Sequence, residues 1–178
     1  IEMESADAPT NWAEETSFSG YTGSGYLRYD GSNHLSDPGN DIITYQVEIQ
    51  TPGTYQFQWR NRIGQGSSST EHNDSWVKID ADAFYGEKSG GSVVCPIGFD
   101  AAQNDCTGAQ PEGAGGNGWF KVYLSGSTNW TWATKTSDND AHDIFVRFDT
   151  PGTYTIQVSG LSVDHVIDRM VLHKTDFS

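Results

Sequence analysis

The chain writes one phrase twice: DIITYQVEIQTPGTYQFQWR at 41–60 and HDIFVRFDTPGTYTIQVSG at 142–160. In the first copy Ile43, Tyr45, Val47 and Ile49 alternate with polar residues, and beyond the bend Tyr55, Phe57 and Trp59 alternate with Gln56 and Gln58. In the second, Ile144, Val146 and Phe148 precede the bend, and Tyr154, Ile156 and Val158 follow it. A period of two on both arms means extended strands, each with one wet face. Pro52 and Pro151 supply a φ of about −65°, and Gly53 and Gly152 the positive φ that a type II turn requires. Each phrase reads as an antiparallel strand pair.

Further strands are expected at 25–29, 75–80, 119–124, 130–134 and 166–174. Roughly nine short strands with turn signals between them read as an all-β protein, a β-sandwich of two antiparallel sheets. A content of 20 Gly and 12% aromatic residues, with few helix-period runs, agrees. The chain of 178 residues reads as a single domain, 1–178. Its weakly periodic, glycine-rich stretch at about 81–118 reads as a surface insertion. Within it Cys95 and Cys106 end the stretch CPIGFDAAQNDC, short enough to turn back on itself. Two buried free thiols are the alternative to a disulfide; a disulfide implies an oxidising, secreted address and about 3 kcal/mol of stabilisation in the chain-entropy model.

A net charge of −14 and a pI near 4.4 repel nucleic acid and anionic lipid. With a mean hydropathy of −0.58 and no apolar run near the roughly 18 residues that span a bilayer, no membrane partner is expected either. The chain opens at Ile1 without a signal peptide, as in a processed protein or an excised module.

If both Thr-Pro-Gly-Thr bends share one end of the sandwich, the loops 30–41, 61–74, 135–142 and 160–165 gather at the other. Those loops hold four of the five histidines, His34, His72, His142 and His165, with Asp74, Asp138, Asp140 and Asp164; Asn73 lies among them and Arg60 and Arg62 flank them. Solvation alone explains any one polar loop residue, whereas convergence from separate loops points to a site. Trp130 and Trp132, in NWTWAT, share a facing by strand period and are either core or a platform for the C–H face of a pyranose. At the amino terminus Glu2 and Glu4 project to one side of an extended strand, about 7 Å apart. With Asp168, on the apolar strand VIDRMVL, they form an oxygen set suited to Ca2+; a salt bridge from Asp168 to Arg169 or Arg28 is the alternative.

The order of Glu2-x-Glu4, SGYTGSGYL, strand-TPGTY-strand ending in Arg60, NDSWVKID, a Trp motif, a second PGTY phrase and VIDRMVL resembles the calcium-binding β-sandwich carbohydrate-binding modules. It is most similar to families 6 and 35, appended to secreted bacterial polysaccharide hydrolases and lyases. The resemblance covers nearly the whole chain outside the insertion. It implies a jelly-roll-like, galactose-binding-domain-like sandwich, with a structural Ca2+ on Glu2, Glu4 and Asp168 helped by carbonyls of 20–24. It also implies a glycan cleft using Trp130 or Trp132 and an early aromatic such as Tyr29. The family's cleft Asn is replaced by Val166, behind Asp164 and His165, so that His and Asp stand in for an amide or hold a second metal ion.

The function expected is non-catalytic binding of a polysaccharide, from algal or plant cell walls, by a monomeric module of a larger secreted enzyme. Arg60, His72, Asn73, Asp74, Trp130, Trp132, Asp138, His142, Asp164 and His165 are the candidate glycan contacts. Two alternatives are weighed against it. One is a polysaccharide-degrading enzyme using a pair such as Asp138 and Asp140; the other is a calcium-stiffened adhesive or structural domain. Zinc at the histidines lacks a tight ligand spacing.

Overall fold

A computed structural model of the chain describes residues 1–175. After a 3-10 turn, Met3–Ser5, come β1 (Trp12–Glu15), β2 (Tyr26–Tyr29), β3 (Ile43–Ile49), β4 (Gly53–Ile63), β5 (Asp74–Ile79) and β6 (Ala83–Lys88). These are followed by β7 (Ser92–Val94), β8 (Phe120–Tyr123), β9 (Asp143–Phe148), β10 (Gly152–Ser159) and β11 (His165–Lys174). They form a β-sandwich: a large sheet in the order β1-β2-β11-β4-β9-β6-β7 and a small one in the order β3-β10-β5-β8, with antiparallel pairing throughout.

The repeated phrase is not a hairpin. β3 and β10 lie in the small sheet and β4 and β9 in the large one, so each bend is an arch that carries the chain from one sheet to the other. Alternation says that one face of each arm is buried, and both arms satisfy it by facing each other across the core. The two copies pair mutually, β3 with β10 and β4 with β9. Ile49 stands opposite Gly152 and Gly53 opposite Phe148, which brings both bends to one pole. The tyrosine that closes each phrase explains its repetition. Tyr55 Oη donates to the Thr51 carbonyl at 2.6 Å and Tyr154 Oη to the Thr150 carbonyl at 2.8 Å, each pinning its own arch. Gly53 has a φ of +143°, a region open to glycine, whereas Gly152 is not in a positive-φ conformation, so a type II turn does not describe both bends.

The core between the sheets is built from Ile43, Tyr45, Phe57, Trp59, Val77, Val146, Phe148, Ile156 and their neighbours. A second cluster, Trp76, Trp119 and Leu161, covers part of the outer face of the small sheet. Three strands were not legible: β1, β6 and β7. The last two occupy the front of the expected insertion, where Ala83–Lys88 completes the large sheet beside β9. Gly86 and the mixed burial of this strand hide its period. Conversely, 130–134 is not a strand; Thr131 makes only an isolated bridge with Asn61.

Cys95 and Cys106 form a disulfide and are separated by 11 positions. Cys95→Ala/Cys106→Ala should lose about 3 kcal/mol, because the freed loop regains entropy in the unfolded chain. Equilibrium urea unfolding with and without reductant reads this directly, and identical curves would refute it. No helix among the described residues is long and apolar enough to cross a membrane.

Candidate functional site

With both bends at one pole, the opposite pole collects the loops after β2, β4, β8 and β10 and before β9. It does not gather the expected residues into one site, because several of them are spent inside the fold. His165 is wholly buried beside Trp59 (ring centroids 5.5 Å apart), with Nδ1 2.8 Å from Ser75 Oγ and Nε2 3.1 Å from Asn61 Oδ1. Asn61 Nδ2 donates to the carbonyls of Trp59, Thr131 and Ala133, so its oxygen accepts and the imidazole carries its proton on Nε2. Burial pushes the His165 pKa down to about 3, so the ring is neutral. His142 is buried too, bonded to the Asp140 carbonyl and Ser92 Oγ. Neither ring has surface to offer a ligand. Tyr29, the early aromatic, is core, with Oη 2.9 Å from Asp41 Oδ2 and 3.0 Å from the Ser32 carbonyl, the two acceptors within reach of its one proton.

His72 and Asp164 do meet: His72 Nδ1 donates to the Val163 carbonyl at 2.6 Å and lies 3.9 Å from Asp164. Asp164 is held at 2.9 Å by Arg28, whose other partner is Glu15. The two tryptophans leave the pole altogether. Trp130 packs edge-on against Tyr26, donates Nε1 to the Ser19 carbonyl and has the Arg60 guanidinium 5.1 Å from its ring. Trp132 faces Arg169 in the same way, 5.4 Å away. Arg60 and Arg169 are register partners in the large sheet, so both indoles cover its outer face. Asp140 is spent on Lys88.

Three of the expected residues, Asn73, Asp74 and Asp138, line one open pocket of about 480 Å3, with Ser69, Thr70, Lys121, Tyr123, Ser125 and Asn139. Asp74 stands opposite Tyr123, and Lys121 is its diagonal neighbour on the outer face of the small sheet. Lys121 Nζ donates to Asp138 at 2.7 Å and lies 3.5 Å from Asp74. Burial raises the Asp74 pKa against the opposing pull of Ser162 and Lys121. Burial also works against the charge of Lys121, but its bond to Asp138 and the charge of Asp74 outweigh this and raise its pKa. Asn73 is buried, with Nδ2 donating to the Leu124 carbonyl at 2.8 Å and Oδ1 left without a partner among the described residues. The result is a charged rail, a ring and several hydroxyls around one opening. Lys121 and Tyr123 were missed because a lone Lys in a strand signals nothing until its diagonal partner is known.

The expected metal residues are brought to one loop. Glu4 lies in the 3-10 turn and Glu2, with extended backbone, caps it, so the two do not share one extended strand, yet both reach residues 22–24. Thr22 donates its N–H to Asp168 at 3.0 Å and its hydroxyl to Glu2 at 2.6 Å, and Ser24 N–H donates to Glu4 at 2.9 Å. A side chain at Gly23 would collide with Glu4 Oε1. Glu4 Oε2 is buried without a partner among the described residues. Asp168, fully buried, is paired with Arg60 at 2.5 Å, and Glu2 faces Arg169 at 4.0 Å. The salt-bridge alternative for Asp168 holds, but with Arg60 instead of Arg169 or Arg28. Among the described residues no three His, Cys, Asp or Glu side chains are gathered tightly enough to hold a metal ion by themselves.

No family model and no curated protein matches the chain. Two solved structures are similar. One is the Podospora anserina GH26-CBM35 β-(1,4)-mannanase, at 18% identity and a TM-score of 0.46, over 100% of this chain and 28% of that one. The other is a cycloisomaltooligosaccharide glucanotransferase of Paenibacillus sp. complexed with cycloisomaltoheptaose, at 20% identity and a TM-score of 0.48, over 97% of this chain and 17% of that one. The chain thus spans less than a third of either.

Proposed function

We propose that the chain is a non-catalytic module that binds a plant or algal cell-wall polysaccharide and holds a secreted enzyme, of which it is a part, on that substrate. The observation that carries this reading is the loop-pole pocket. Asp138 and Lys121 offer charged acceptors and donors, Asn139 and the hydroxyls of Ser69, Thr70 and Ser125 offer neutral ones, and Tyr123 supplies a ring face. Sugar hydroxyls need both kinds of partner in a fixed array, and the C–H face of a pyranose needs a ring. The motif order set out above supports the same reading, and the disulfide suits a secreted address.

The same reading includes a structural Ca2+ held by Glu2, Glu4 and Asp168 with carbonyls of 20–24. The donors are hard oxygens, and the unpartnered Glu4 Oε2 beside the side-chain-free Gly23 fits an ion there. When bound, the ion supplies cross-linking of the amino terminus to the loop.

One observation favours an enzyme instead: Asp74, with its raised pKa, shares Lys121 with Asp138, as an acid and a base would. Asp74 is almost fully buried and bonded to Ser162, which turns it away from a substrate. Affinity electrophoresis through soluble plant and algal polysaccharides, with and without EDTA, tests the proposal. At least one polymer should retard the protein, and Asp138→Ala should weaken that retention about tenfold, the worth of one hydrogen bond to a charged group. EDTA should lower the melting temperature more than it lowers retention. No retardation by any polymer would sink the reading, and new reducing ends would establish the enzyme.

A further inference from the structure

On the outer face of β5, alternate residues Asp74, Trp76 and Lys78 have three different surroundings. Asp74 lines the loop-pole pocket, and Trp76 lies in the buried cluster with Trp119 and Leu161. Lys78 lines a larger cavity of about 630 Å3, toward the pole of the arches. Its floor is the small sheet, where Lys78 stands opposite Gln157. Its wall is the insertion, folded back through the disulfide and through Asn104, which takes the Phe84 N–H on Oδ1 and returns Nδ2 to the Phe84 carbonyl. This volume is within the roughly 300–1,000 Å3 of ordinary ligand sites.

The two cavities use their polar groups differently. At the loop pole Lys121, Asp74, Asp138 and Ser162 are bonded to one another. In the groove the side-chain amides of Gln103, Asn117 and Gln157 make no hydrogen bond among the described residues, and Lys78 Nζ has one acceptor, the Asn117 carbonyl at 2.9 Å. An amide offers donors and an acceptor in one plane, as vicinal hydroxyls require. Phe99, half-buried on the same wall, adds a ring. Asp80, Asp82 and Asp100 against the single ammonium of Lys78 make the groove acidic, which repels sulfated or uronate chains.

We propose that this groove is a second binding site, for an uncharged oligosaccharide, built by the insertion on the same sheet face as the first. The assignment rests on the polysaccharide-binding reading. Asp74 and Lys78 are four strand residues apart, so the sites are separated by roughly 13 Å. A polymer long enough to occupy both gains from the high effective concentration of the second site once the first is filled.

The test uses galactomannan, xyloglucan, dextran and laminarin in affinity gels, with Gln103→Ala/Gln157→Ala, Asp138→Ala and the triple variant. Neither glutamine side chain makes a hydrogen bond among the described residues, so the double variant should melt with the wild type. It should bind about tenfold more weakly, Asp138→Ala should keep measurable retention, and the triple variant should migrate as in a sugar-free gel. Amide chemical shifts of Lys78, Phe99 and Gln157 should move on addition of a hexasaccharide from the retarding polymer. If the double variant is retarded like the wild type and those shifts stay still, the groove is overturned while the polysaccharide reading stands. If the wild type is retarded by none of the four and those shifts do not respond to their hexasaccharides, the groove assignment fails. If no charged or neutral glycan retards the protein, the parent reading fails as well.

Discussion

Asp168→Ala is expected to lose about 3–5 kcal/mol of stability, because truncating one member of a buried ion pair strands the other. In a chain of this size that is a fall in melting temperature of roughly 10 °C or more. Asp168 is fully buried, and its partner Arg60 has a side chain only 18% exposed. The carboxylate also takes the Thr22 N–H, so its removal releases the loop that binds Glu2 and Glu4. Asp168→Asn, which keeps an acceptor for Thr22, should lose less. Replacing both partners by apolar residues, as in Arg60→Met/Asp168→Leu, should recover much of the loss, since no charge is then left unpaired. Calorimetric melts of the four proteins decide it. A double variant no more stable than Asp168→Ala would show that the loop contacts, and not the stranded guanidinium, carry the effect.

His165 should make the fold acid-sensitive well above the range where most carboxylates titrate. Its folded pKa of about 3 lies below the ordinary value near 6.5. Between those limits the unfolded chain takes up a proton that the folded chain refuses. The stability from keeping this ring neutral is therefore complete above pH 6.5 and drains as pH falls toward 3, by about 1.4 kcal/mol per unit and roughly 5 kcal/mol in all. The structural cause is burial: the ring is wholly enclosed, with Ser75 Oγ and Asn61 Oδ1 as its hydrogen-bond partners, so an imidazolium there would give up its hydration. Urea unfolding at steps from pH 7.5 to 5 should show this slope, and His165→Gln should flatten it whatever its own stability. An equal slope in both proteins would assign the pH dependence to other groups.

Much of the fold was legible because alternation is local. The arms of both TPGTY phrases, β5, β8 and β11 all lie within a residue or so of the expected spans. That both bends share a pole was a supposition that the repetition invites without proving; the register decides it. The candidate site was less legible. His142 and His165 have the same one-letter signature as His72, but burial depends on what packs above a residue, here Trp59 for His165. The tryptophans of NWTWAT went to the outer face of the large sheet because Arg60, Arg62 and Arg169 present cations there.

The amino-acid sequence by itself determined that the chain has short strands with one wet face, an acidic surface, two cysteines near enough along the chain to bridge and carboxylates near the amino terminus, since each rests on spacing or count. Only the tertiary structure decided which sheet each arm joins, which polar residues are consumed inside, that Lys121 sits between Asp74 and Asp138, and that the insertion walls a groove. The reason is one of range. Alternation and turn chemistry act over a few residues, whereas pairing, desolvation and cavity shape depend on groups brought together from as far apart as Asn61 and His165.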